Sequence, residues 1–284
     1  MLKKLIILAF ILTLGIFVAG NPVYSQELPQ EDTEITFDQA YANYMGFIEE
    51  YNKAHDEYIL KRAQHLKFQS LVSKQAAFDA TLLMLQKRDQ VVISYLNVLE
   101  AKVREGRGIP DAKRNDLSFR IDEEIEWFSY HRDNLTTTGS LDDLVADSKL
   151  ASSRQLAIDP LAYEAMSVLS QGKITDFSER LDGIFSELKS KLETIREDER
   201  EEYSFSSSKF QILDRWIFEA DGRIVRGEEK QNEADLLIGQ IVKVKKTVSG
   251  SYQPILTILD ESKLYMSEAN LFLKEIIKQV KTEE

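Results

Sequence analysis

The chain has 284 residues, with 48 Asp and Glu against 36 Lys and Arg and no cysteine. A formal charge of −12 leaves its overall field no means of attracting nucleic acid or an anionic membrane surface, and the missing thiols exclude disulfides, cysteine-ligated metals and thiol catalysis. Only 12 glycines and 5 prolines punctuate it, too few for the many turns of a β sandwich and in keeping with long helices.

Lys3 and Lys4 precede an apolar run from Leu5 to Ala19, and the chain turns polar after Asn21. A basic start, a run of this length and small residues at its exit form the pattern of an export signal, expected over 1–25. Val23 and Ser25 stand at the −3 and −1 positions of a cleavage before Gln26, and Val18 and Gly20 offer a second site. The run is shorter than the roughly 18 apolar residues of a spanning helix, so an uncleaved anchor is the alternative and the one expected route to a membrane. The expected location is extracytoplasmic: secreted, periplasmic or at the cell surface. Residues 26–35 read as a flexible acidic leader, and 36–284 as a single elongated α-helical domain.

From Phe37 a 3–4 spacing of apolar residues begins with Tyr41, Tyr44, Ile48, Tyr51 and Tyr58, as on one stripe of a helix. It resumes in shifted phase through Leu71, Phe78, Leu82, Leu85, Val92, Leu96, Leu99 and Val103. Between the runs, His65, Phe68 and Leu71 are spaced by threes, which reads as a stammer within a coiled coil. One helix, or two nearly collinear ones, is therefore expected over Phe37–Glu105, about 100 Å long.

Gly106, Gly108 and Pro110 end that element, and a second helix is expected over Asp111–Asn134. Ser140 with Asp143 resembles a capping box. Asp159–Pro160 repeats the start signal, where a kink or short turn is expected, and Gly172 closes the segment. A further long helix is expected from Phe177 to Ile241, with a four-residue slip in its seam near the acidic run Asp198–Glu202. Asp221–Gly222 within it also fits a type I′ hairpin turn, but the seam runs through unbroken and favours helix. Ser249, Gly250 and Pro254 mark the last break, before a helix carrying Ile255, Leu259, Met266, Ala269, Leu273 and Ile276 on one stripe. The fold class is all-α, an elongated, coiled-coil-like bundle of two long helices and several shorter ones behind a signal peptide.

Chemical motifs are sparse. None of His55, His65 and His131 belongs to a Glu-x-x-His pair or a His-Glu-x-x-His motif, and the phosphate-cradling, dinucleotide and nucleophile-elbow glycine patterns are missing. No cofactor and no enzymatic activity are expected. Glu123, Glu124 and Glu126 flank Trp127 and His131; the plain reading is an amphipathic helix with a wet face and a Trp edge in the core. Tyr41, Tyr44, Tyr51 and Tyr58 form an aromatic band that coincides with the seam, so burial is expected. Exposed, it would stack on glycans or grip a partner helix.

The function expected is an exported, non-enzymatic helical scaffold or protein-interaction module of the cell envelope. Its partner is another protein or a second copy joined through the seams, whose polar insertions Gln75, Asp89 and Gln231 set register. The alternative is a glycan- or peptide-binding bundle with an aromatic cleft near Trp127 and Trp216.

Overall fold

Between Ala54 and Glu105 no glycine or proline breaks the chain, yet it reverses direction at Gln69. In the computed structural model, which describes residues 35–135, 139–197, 205–241 and 248–281, the first helix, α1, is Phe37–Phe68 and the second, α2, is Leu71–Glu105. The single collinear helix expected over this stretch is thus an antiparallel hairpin. Gln69 takes the left-handed conformation with φ 49°, and its N–H bonds the His65 carbonyl at 2.9 Å. Ser70 then caps α2 reciprocally with Ser73. A cap at each end satisfies the orphan backbone groups that a two-residue reversal creates. What reads as a stammer is the phase reset of a second helix.

The hairpin closes at its open end as well. The Phe37 N–H donates to Glu105 at 2.8 Å, Arg104 donates to the Ile35 carbonyl at 2.7 Å, and Lys102 lies 4.1 Å from the Phe37 ring centroid. Helix α3, Asp111–Asn134, has the bounds expected of it and returns antiparallel along α2. Helix α4, Leu141–Glu197, runs 57 residues without a break, about 85 Å. Ser140 accepts from the Asp143 N–H at 3.2 Å and donates to its carboxylate at 2.7 Å, the cap anticipated there.

Pro160 lies inside α4 rather than starting a new helix, and Gly172, contrary to expectation, does not close it. Gly172 is instead where the α2–α3 loop docks. A Cβ on Gly172 would lie 2.6 Å from the Arg107 carbonyl oxygen, and one on Gly108, whose φ is +66°, would strike the Gly172 carbonyl. Two backbones touch there, and only glycine permits it.

The long helix expected from Phe177 to Ile241 is likewise a hairpin. Its first part belongs to α4, and α5, Ser207–Ile241, runs back along it: Lys189 pairs with Asp221 at 2.7 Å and Arg196 with Asp214 at 2.7 Å. Asp221–Gly222 is helical, as the seam favours. Helix α6, Val248–Lys281, starts upstream of the break expected at Pro254 and packs on both α5 and α4. Its stripe from Ile255 to Ile276 is buried as expected.

The described residues are therefore all helical and form a bundle of six helices. The α1–α2 hairpin and α3 pack with the N-terminal part of α4, and α5 and α6 with the part from Tyr163 onward, where Tyr252 of α6 meets the Tyr163 ring; Lys113 of α3 also pairs with Asp235 of α5. Leu85, Leu96, Leu117, Ile121, Phe128 and Leu144 fill the first core; Leu213, Ala234, Ile238, Ile255 and Met266 fill the second. The segments expected to be a signal and a leader, up to residue 34, and the acidic run 198–202, lie outside the described residues. No helix among the described residues is long and apolar enough to cross a membrane.

Candidate functional site

The α3 face expected to be wet is turned inward at Glu124 and His131, while Glu123 and Glu126 face solvent. Burying charge is costly unless each group is paired, and each one here is. Arg154 on α4 donates to Glu124 at 2.7 Å. Arg120 on α3 grips Glu164 on α4 through both terminal nitrogens, at 2.8 and 2.9 Å, the fork geometry suited to a carboxylate. His131 Nδ1 meets Asp89 Oδ2 on α2 at 2.6 Å, and its Nε2 meets the Asp147 carbonyl on α4 at 3.2 Å. The other Asp89 oxygen accepts from Arg88 Nε at 3.1 Å and Nη2 at 3.0 Å, and Arg88 Nη1 reaches the Ser148 hydroxyl at 3.1 Å.

Trp127 joins the His131–Asp89 pair to the Arg154–Glu124 pair. Its ring stacks on His131 with centroids 5.1 Å apart and planes at 10°, and the Arg154 guanidinium lies 5.6 Å from its centroid. The result is a linked set of buried polar groups across α2, α3 and the first half of α4, with the Arg120–Glu164 pair as a separate tie between α3 and α4. Asp89 and His131 have the form of an acid–base pair, but both imidazole nitrogens and both carboxylate oxygens are already engaged by protein groups. In this arrangement the pair fixes which residue of one helix faces which of the next.

Of the polar seam positions, Asp89 and Gln231 join different helices and Gln75 does not. The Thr175 hydroxyl donates to the Gln231 side chain at 2.9 Å, and Gln171 to its carbonyl at 3.3 Å, tying α4 to α5. Gln75 is exposed and bonds Asp79 on its own helix at 2.9 Å.

The aromatic band follows the seam. Tyr44 is buried against Tyr95 with ring centroids 5.9 Å apart, Tyr41 stacks on Phe37, and the half-buried Tyr51 and Tyr58 flank His55 and pack against the core cluster of Ala54, Met84, Leu85, Leu135 and Leu144. Burial pushes the ionisation of Tyr44, Tyr51 and Tyr95 above the ordinary phenol range, Tyr95 most. The Tyr95 hydroxyl has no hydrogen-bond partner among the described residues.

The two tryptophans do not share a cleft. Trp127 neighbours Arg154, whereas Trp216 packs edge-on against Phe272 of α6, just beyond the Asp214 that pairs with Arg196; Arg154 and Arg196 are about 60 Å apart along α4. A groove of about 570 Å³ lies elsewhere, between α1, α2 and α3, lined by Phe47, Leu83, Gln86, Lys87, Gln90 and Arg132. Among the described residues no group of three or more His, Asp or Glu is arranged to hold a metal ion.

Sequence reasoning singled out Asp89, Glu124, Trp127 and His131 but not Arg88, Arg120, Arg154 and Glu164. Their only signal is charge on faces that otherwise read as solvated. No protein-family model, no curated protein and no solved structure matches this chain.

Proposed function

We propose that the chain is an exported, non-enzymatic scaffold of the cell envelope, a stiff helical module that holds interaction surfaces at a fixed spacing. The observation that carries this reading is the unbroken course of α4 through both halves of the bundle, pinned near its middle by the Gly108–Gly172 contact. A helix clamped on both halves by ion pairs is a spacer. The α1–α2 and α5–α6 pairs, read as coiled-coil-like, use their seams internally, which leaves exposed residues such as Leu156, Phe218, Leu236 and Leu271 for a partner. The basic and apolar segment at the N terminus supports export, with cleavage before Gln26.

Crosslinking of the tagged protein in its own cells, combined with fractionation and mass spectrometry, tests the reading. The expected result is an extracytoplasmic chain starting near Gln26 and joined to one abundant envelope protein through exposed positions. Recovery of an uncleaved chain in the cytoplasm, or turnover of a small molecule by the purified protein, overturns it.

A further inference from the structure

From Tyr58 to Phe78 the chain carries Lys61, Arg62, Lys67 and Lys74 and no acidic residue, within a protein of net charge −12. Folding places this stretch at the apex of the α1–α2 hairpin, around Gln69. The same apex concentrates bare apolar surface: Ile59 is 52% exposed, Leu60 54%, Leu66 60%, Phe68 62%, Leu71 83% and Val72 80%. Nowhere else among the described residues are so many large apolar side chains this open within fourteen consecutive residues. A contiguous exposed apolar patch marks an interaction site, and the charge around it selects the partner.

We propose that the α1–α2 apex is a membrane-docking tip that inserts Leu66, Phe68, Leu71 and Val72 into the interface of an anionic lipid bilayer while its four cations contact the lipid phosphates. The levels fit. The four apolar residues lie within about 5 Å of the reversal along the helix axes, whereas Lys61, Arg62 and Lys74 sit about 8–12 Å back, where headgroups lie when an apolar face is buried about 5–10 Å deep. Lys67, at the apex itself, lies with its ammonium 5.2 Å from the Phe68 ring centroid, and its long stem lets it reach back to the phosphate level. None of the four cations is ion-paired with a carboxylate among the described residues.

The backbone is suited to the same place. Inserted peptide groups must be satisfied internally. At this apex the Gln69 N–H goes to the His65 carbonyl, and the N–H groups of Ser70 and Ser73 go to each other's hydroxyls at 3.1 Å. Charge favours lipid over a second copy of the chain, since two such tips, each carrying four cations and no acid between Tyr58 and Phe78, repel one another.

The missing cysteines supply the test, because Leu71→Cys gives a unique attachment point for an environment-sensitive fluorophore on the full-length chain. Ser186→Cys, at an exposed position of α4, is the control. With vesicles of phosphatidylcholine containing roughly a third phosphatidylglycerol, the label at 71 shifts to the blue and the label at 186 does not; pure phosphatidylcholine gives no shift at either. Because each label reports its own surroundings, vesicle capture through residues 5–19 does not mimic the signal. Replacing Lys61, Arg62, Lys67 and Lys74 together by Gln weakens anionic-vesicle affinity roughly tenfold or more with an unchanged melting temperature, and added salt does the same. No shift at 71 on anionic vesicles, an equal shift on neutral ones, or full binding by the quadruple variant overturns the lipid tip. A vesicle-independent shift that grows with protein concentration overturns it too, and assigns the patch to a protein contact.

Discussion

Asp89 is the residue on which the first half of the bundle turns. Its side chain is fully buried, and three helices meet at it through Arg88, His131 and the Asp147 carbonyl. Removing one partner of a buried pair strands the others without water, which costs far more than the pair contributes on balance. Asp89→Ala is expected to lower stability by about 3–5 kcal/mol in urea unfolding, and the cycle with His131→Ala to show coupling of about 0.5–3 kcal/mol. A loss below 1 kcal/mol would return the pair to the class of surface ion pairs. Asp182 on α4 works in the opposite sense. Burial, and then the Asp221 carboxylate, hold its pKa above the ordinary aspartate value, against the pull of Lys189. The folded state therefore binds that proton more tightly than the unfolded chain, so ionised Asp182 is a penalty that is relieved as pH falls through its folded value. Asp182→Asn is expected to raise stability by a few tenths of a kcal/mol at neutral pH, and the gain to vanish by about pH 4. A gain that grows on acidification contradicts this sign.

At the scale of elements, the glycines separate into two kinds by what surrounds them. Gly108 and Gly172 face each other's backbone, which cannot yield as a flexible side chain can. Gly108→Ala and Gly172→Ala are each expected to cost about 1–3 kcal/mol. Gly222 lies inside α5 with nothing within 4 Å of its Cβ position, so Gly222→Ala should add about 0.5–1 kcal/mol. Thermal melting decides it, since Ala in a type I′ turn would be forced to positive φ and would destabilise. The same distinction explains what could be read beforehand. The bounds of α3, which follow Gly106, Gly108 and Pro110 at its start, and the Ser140 cap depend on residues within a few positions in the chain, and are legible in the sequence. The reversal at Gln69 is not, because a stripe of apolar residues says that a face is buried without saying which neighbour buries it. Continuation and hairpin then differ by one left-handed residue and one serine cap. Gly172 misleads for the complementary reason: its role lies in a loop more than sixty residues upstream, and local reading sees a helix terminator. The polar ladder was half legible. Asp89 stands out as a charge in an apolar seam and Glu124 with His131 as a shared face, but Arg120 and Arg154 look like any solvated helix charge until α3 and α4 are laid together.

For the whole molecule, α4 makes the two halves of the bundle interdependent. Unfolding the first half strips the N-terminal part of α4 of its packing and withdraws the loop that rests on Gly172. Unfolding the second half leaves that loop docked on a helix whose C-terminal part no longer has α5 and α6 beside it. Helical segments owe most of their stability to such packing rather than to propensity, so neither half should persist far beyond the other. The two tryptophans supply separate reporters, Trp127 for the first half and Trp216 for the second. In Trp216→Phe and Trp127→Phe variants, fluorescence-detected urea transitions are expected to share one midpoint, coincident with the loss of helix by circular dichroism. Gly172→Val in each background should split them, because the larger side chain expels the α2–α3 loop while leaving the ion pairs within each half in place. Midpoints that already differ in the parent chain would mean that α4 joins two independently stable bundles. In that case the spacing between surfaces on the two halves would rest on the stiffness of α4 and on the Lys113–Asp235 ion pair between α3 and α5.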